Sequence, residues 1–439
     1  MQTIDTLIHA RWVIPVAPQT GALDHHAVAI HEGRILEVLP SARADGKYRG
    51  EVTHTLDGHA LLPGLVNAHG HAAMTLMRGL ADDLHLMDWL KNHIWPAEQK
   101  WVSAEFVHDG SLLACAEMLR GGVTCFNDMY FFPEQTARAA ERAGMRAVVG
   151  LIVIDFPTAW AQDAEEYLHK GLALHDELKH NPLVRTAFAP HAPYTVSDGP
   201  LGKVLMYAEE LDIPIHIHLH ETAHEVDEAV RQSGQRPLAR LGELGLVSPR
   251  LVGVHMTQLE DTEIAALAAA GAHVVHCPES NLKLASGFCP VQRLLTAGIN
   301  VALGTDGAAS NNDLDMFGEM RTAALLGKAV AGDASAVPAE QVLRMATLNG
   351  ARALGLDQEV GSLEAGKAAD LIAVDLSEIE TLPVFHPVSQ LVYATGRDKV
   401  TDVWVAGRHL LKERILTTID TEETAAAAAD WGRRLHAES

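Results

Sequence analysis

Two hydrophobic patterns alternate through the middle of the chain. Residues 104–120, 133–143 and 201–211 carry apolar side chains on a helical period, which predicts amphipathic helices. Between such stretches stand short apolar runs. They are Ala147-Val-Val-Gly-Leu-Ile-Val, Val184-Arg-Thr-Ala-Phe-Ala, Ile213-Pro-Ile-His-Ile-His, Leu251-Val-Gly-Val-His, His273-Val-Val-His and Asn300-Val-Ala-Leu-Gly. Strand and helix alternating over roughly 300 residues predict a parallel α/β fold. Periodicity alone suits a doubly wound sheet as well. A closed (β/α)₈ barrel is favoured because chemically potent residues end nearly every strand.

The two ends read differently. Residues 3–13 and 26–38 alternate in the β-branched manner, with the turn Glu32-Gly33-Arg34 between apolar runs. Near the other end, Ala369-Asp-Leu-Ile-Ala-Val-Asp follows the glycine turn Glu364-Ala-Gly-Lys, and Val400-Thr-Asp-Val-Trp-Val-Ala-Gly-Arg runs into a turn. Neither segment has material for a core of its own, so the two are expected to pair into one small β-sandwich. The expected domains are residues 1–59, the N-terminal part of the sandwich; 60–365, the barrel; and 366–439, the C-terminal part of the sandwich with a terminal helix. An alanine- and glutamate-rich terminal helix is expected over 421–439.

Composition narrows the partners. With 34 basic and 57 acidic residues the net charge is −23. Such a surface repels phosphate backbones and anionic lipid, so a small molecule is expected rather than nucleic acid or membrane. Four cysteines, none in a CxxC pair, suit a reducing compartment. The N-terminus shows no signal-peptide pattern, and no apolar run approaches the ~20 residues that span a bilayer. A cytoplasmic protein is expected.

The 25 histidines carry the chemistry. Leu61-Leu-Pro-Gly-Leu-Val-Asn-Ala-His69-Gly-His71 ends an apolar strand with histidines two apart. In a strand that spacing puts both on one face, Cα atoms roughly 6.5–7 Å apart, within reach of one zinc. Ile213-Pro-Ile-His216-Ile-His218-Leu-His220-Glu221 offers three more at period two, and period alone does not choose among them. His255 and His276 end later strands, and Asp306 ends Val301-Ala-Leu-Gly-Thr-Asp306-Gly. An Asp-Gly pair is usually a turn. As the last member of a strand-end histidine series, Asp306 reads as a metal ligand.

These residues resemble the amidohydrolase superfamily, over nearly the whole chain and including the split β domain. The branch they are most similar to is that of methylthioadenosine/S-adenosylhomocysteine deaminases and related chlorohydrolases. His71-Ala-Ala-Met-Thr-Leu-Met-Arg-Gly, Asp88-Trp-Leu with Pro96-Ala-Glu98, Pro190-His191-Ala-Pro-Tyr194, Pro278-Glu-Ser-Asn281-Leu-Lys-Leu and Asp306-Gly-Ala-Ala-Ser-Asn311-Asn carry that likeness. It implies metal binding by His69, His71, His218 and Asp306, with His218 chosen by its His-x-x-Glu spacing to Glu221. Two-metal relatives use a carboxylated lysine at a middle strand end. No strand end here offers one, so one zinc is expected, and the same ligands would also suit iron, manganese or cobalt.

The implied reaction is hydrolytic deamination of an adenosine-type nucleoside, with S-adenosylhomocysteine, 5′-methylthioadenosine or adenosine as substrate. Glu221 is the expected proton shuttle. Asp306 takes a proton from the attacking water, and His255 orients the nucleophile or steadies oxyanion charge. Glu98 matches the position that binds ribose hydroxyls, although read alone it is an ordinary helix acid. His191 matches a second substrate contact, and Trp89, Met74 and Met77 are candidate apolar cover for a purine. Ser280 and Asn281 are expected to brace a loop. Relatives that bind the homocysteine carboxylate often carry an arginine after a Gly-Met-Arg-Ala strand. Here Gly144-Met-Arg-Ala-Val-Val-Gly150-Leu151 has none at that place, and Arg146 is expected to be structural. The alternatives kept open are a guanine-type deaminase or chlorotriazine hydrolase on the same metal site, and a catalytically silent scaffold. The resemblance also implies a homodimer or homotetramer.

Overall fold

The computed structural model describes residues 1–437, so the last two residues of the expected terminal helix lie outside the described residues. Eight parallel strands make the central sheet. They are β1 (Leu65–Gly70), β2 (Val123–Asp128), β3 (Arg146–Val153), β4 (Val184–Pro190), β5 (Ile215–Leu219), β6 (Leu251–His255), β7 (His273–His276) and β8 (Asn300–Leu303). Each hydrogen-bonds to its neighbour in chain order. A parallel bridge between Gly70 and Asp306 joins the last strand to the first, so the sheet closes as a (β/α)₈ barrel. The strands are apolar because helices cover their outer face and packed side chains fill their inner one. All eight residues of β3 are buried.

Local chemistry sets the helix limits. Ser103 caps Ala104–Arg120 by accepting from the Phe106 N–H, and Gly144, at φ +74°, ends Pro133–Ala143 in the left-handed conformation that glycine adopts freely. Thr222 caps Ala223–Ser233 in the same way as Ser103. The terminal helix spans Thr421–Ala437.

Strands Gln2–Val13, Leu23–His31, Arg34–Pro40 and Tyr48–Pro63 join Leu371–Asp375, Val400–Val405, Arg408–Lys412 and Ile415–Leu416 in a second eight-stranded sheet. The seam between the chain ends is the antiparallel pairing of residues 59–63 with 371–375. Its two arms fold toward one another around Ile8, Val28, Ile35, Leu371 and Trp404, so neither terminal segment holds a core alone. Arg146, at the start of β3, reaches this sheet. Its guanidinium donates to Asp370 at 3.0 and 3.2 Å and to the Pro182 carbonyl, with both charged side chains almost fully buried.

Candidate metal centre and active site

Barrel architecture puts the carboxyl ends of all eight strands at one mouth, and the chemically active side chains collect there. β1 supplies His69, the residue just past its end is His71, β5 supplies His218, and the turn after β8 supplies Asp306. One ligand atom from each lies within 4.8 Å of all the others. Asp306 Oδ1 is 3.1 Å from Nε2 of both His69 and His71. His218 Nε2 is 3.2 Å from His69 Nε2.

The donor set fits a divalent cation. His71 Nδ1 donates to the Met129 carbonyl at 2.6 Å and His218 Nδ1 to the His191 carbonyl at 2.9 Å. With those protons committed, the Nε2 lone pairs point inward, as they do when an imidazole ligates metal. His69 Nδ1 is held at 2.8 Å by His216 Nε2, and Asn127 in turn contacts the His216 ring. Ser280 and Ser310 donate to Asp306 Oδ2 at 2.7 and 2.8 Å, which turns Oδ1 toward the histidines. Burial holds His69 down at about 4. Burial works the same way on His71, but Asp306 overrides it and pushes that group up to about 9. Against burial, the two imidazoles keep the Asp306 carboxyl well below the ordinary range. The cluster is built to hold positive charge.

Close backbone approach makes this possible. A side chain at Gly304 would meet the His69 backbone at 2.8 Å, so only glycine lets β8 come this near β1. Three site residues that are not glycine leave their strands with positive φ: His220 (+54°), His255 (+73°) and Asp306 (+61°). Such left-handed turns are sparsely populated and cluster at functional sites. The turn at His220 also breaks the period-two series. His220 packs away from the cluster, its Nε2 accepting from the Leu238 N–H and its Nδ1 lying 3.1 Å from the Gln258 carbonyl. His276 is buried with Nδ1 unpaired and stands outside the metal set.

A pocket of about 500 Å³ opens onto the cluster, lined among others by His71, Glu98, His191, Glu221, His255 and Asp306. That size suits a nucleoside. Glu221 is buried, which raises its carboxyl, and its Oε2 lies 3.9 Å from His255 Nε2. The Glu221 N–H donates to Glu225 at 2.7 Å. His255 Nδ1 lies 2.9 Å from Asn281 Oδ1. Glu98 accepts from the Tyr130 hydroxyl at 2.8 Å, and its desolvated carboxyl is pushed up to about 7. His191 contacts Thr195 Oγ1 at 2.9 Å, and burial holds it down at about 3. Met74 and Trp89 line the pocket, whereas Met77 packs in a core cluster behind it. Sequence reasoning weighed His216 as a possible ligand and not as a support, and it gave no role to Asn127, Glu225 or to Ser310 within the Asp306–Asn311 stretch. It gave Ser280 and Asn281 only a loop-bracing role.

A profile described as the amidohydrolase family matches residues 60–410. A Teredinibacter turnerae protein named 5-methylthioadenosine/S-adenosylhomocysteine deaminase is 52% identical over 435 residues, 99% of this chain and 98% of that one. A crystal structure of an adenosine deaminase from Xanthomonas campestris with bound zinc is 55% identical, with a TM-score of 0.98 and 99% of each chain covered. An atrazine chlorohydrolase from Arthrobacter aurescens, complexed with zinc, shares the fold at a TM-score of 0.90 and 24% identity, over 97% of this chain and 99% of that one. The chain belongs to the amidohydrolase family.

Proposed function

We propose that this enzyme is a zinc-dependent hydrolase that deaminates an adenosine-type nucleoside to the inosine analogue and releases ammonia. The observation that carries the reading is three imidazole nitrogens and one carboxylate oxygen converging within 4.8 Å at the base of a nucleoside-sized pocket. The deaminase-named relatives of half-identical sequence support the same chemistry.

His69, His71, His218 and Asp306 would hold one zinc per chain, which supplies Lewis-acid activation of water at neutral pH. The remaining work falls to side chains. Water oxygen bonds to C6 of the adenine ring and the bond from C6 to the amine breaks. Of the two water protons, one ends on ring N1 and the other on the departing ammonia. Glu221, raised by burial and beside His255, is the group to deliver a proton at N1. Asp306, steadied by Ser280 and Ser310, accepts a proton from the attacking water. His255, its Nδ1–H held by Asn281, presents an Nε2 lone pair that accepts from the attacking water and so orients the nucleophile. Glu98 accepts from the ribose hydroxyls, and His191 makes a second substrate contact.

A cytoplasmic setting belongs to this reading, supported by four buried cysteines that are all free. Among the described residues no helix is long and apolar enough to cross a membrane. Ammonia release by the purified protein from adenosine, 5′-methylthioadenosine, S-adenosylhomocysteine, guanine and a chlorotriazine tests the proposal. Turnover of the adenine nucleosides is expected; turnover of guanine or the triazine alone would overturn it.

A further inference from the structure

Polar groups are unevenly spread around the pocket. At the base stand the metal cluster, Glu221 and His255, with Glu98 and Tyr130 beside His71. Beyond them the wall is mostly apolar, with Gln99, Thr158, His191 and Tyr194 its neutral polar members. Leu86, Trp89 and Ile94 face it from the segment after β1, and Ile154, Phe156 and Pro157 from the loop after β3. No lysine or arginine is among the residues that line the pocket. Lys170, which reaches the same loop after β3, is committed to Glu166 at 2.7 Å and to the Trp160 carbonyl. The exposed acid in that loop, Asp155, caps Ser197 by accepting from its N–H at 2.8 Å.

With its C6 edge at the cluster and its ribose hydroxyls at Glu98, a bound purine nucleoside would direct its 5′ carbon away from the base of the pocket, toward this apolar half. We propose that the pocket selects adenine nucleosides with a neutral, apolar 5′ substituent and discriminates against a 5′ chain ending in a carboxylate and an ammonium. This rests on the deaminase reading above and assigns the specificity of that site. An alkylthio group gains by leaving water for Trp89, Ile154 and Phe156. A homocysteine tail of the same length must desolvate its carboxylate where no guanidinium or ammonium pairs with it. The chain's net charge of −23 adds no compensating field.

The test compares kcat/KM for 5′-methylthioadenosine, 5′-butylthioadenosine and S-adenosylhomocysteine. The butylthio compound matches the homocysteine chain in length without its charges. S-adenosylhomocysteine is expected to be roughly tenfold or more poorer than both neutral compounds, because a carboxylate held against an apolar wall loses hydration with no cationic partner to replace it. Calorimetric Kd values for the products methylthioinosine and S-inosylhomocysteine are expected to differ in the same direction, independently of turnover. Ala159→Arg places a guanidinium on the exposed loop at the pocket wall and is expected to raise kcat/KM for S-adenosylhomocysteine alone. Equal turnover of S-adenosylhomocysteine and the butylthio compound overturns the inference and leaves the deaminase reading intact. So does equally poor turnover of both long substituents, which would make length the discriminator. Turnover of no adenine nucleoside overturns both.

Discussion

His255 Nδ1 sits 2.9 Å from Asn281 Oδ1, a side-chain acceptor that keeps the proton on Nδ1 and leaves Nε2 facing Glu221. Asn281 thus fixes a tautomer. Asn281→Leu is expected to lower kcat by about tenfold or more, the usual cost of losing a partner that orients a functional histidine. KM should change little. Steady-state kinetics on adenosine separate the two, and a large rise in KM with constant kcat would remove Asn281 from this role.

Glu221→Gln keeps the shape and removes the titrating proton. A loss of kcat of roughly 10²–10⁴-fold is expected. Zinc content, measured by elemental analysis, should stay at one per chain, since Glu221 is outside the four-residue cluster.

Stripping the metal with a chelator is expected to abolish turnover, and zinc should restore it. Because a ligand that binds only the folded state stabilises it by mass action, the melting temperature should fall on stripping and recover on reloading. Retained activity in verified metal-free protein would contradict the metal assignment.

The Glu98 carboxyl, pushed up to about 7, is neutral below that pH and ionised above it. Only the ionised form accepts from both ribose hydroxyls, so KM for nucleosides is expected to rise as pH falls through about 7. Glu98→Gln should raise KM and flatten the profile. A profile unchanged in that variant would assign the titration to another group.

At the opposite end of the barrel, Arg146→Met leaves Asp370 buried with only the Ala406 N–H as partner. Removing one member of a buried pair typically costs about 3–5 kcal/mol. A marked drop in denaturant midpoint is expected, partly recovered when Asp370 is also replaced by an apolar residue.

The barrel was legible because its strands are buried on both faces and its active residues fall at strand ends. The metal ligands were legible as types, but geometry alone did not separate His216, His218 and His220. Their fates diverge through one backbone turn, φ +54° at His220, and through the depth of His216, which bonds His69 instead of facing the pocket. A period of two cannot encode either. Ser310 and Glu225 act across loops and helix caps, contacts that depend on how the elements dock. The pairing of Arg146 with a residue 224 positions away is tertiary in the same sense.

The bridge from Gly70 to Asp306 puts the metal cluster on the join between the opening and closing staves of the barrel. His69 and Asp306, in contact there, are 237 residues apart in the chain. A nascent polypeptide therefore lacks one of its four ligands until all eight strands of the ring have been synthesised. Tight zinc retention becomes a certificate of ring completion, and chains cut short before that last stave should emerge metal-poor however well their earlier strands have formed.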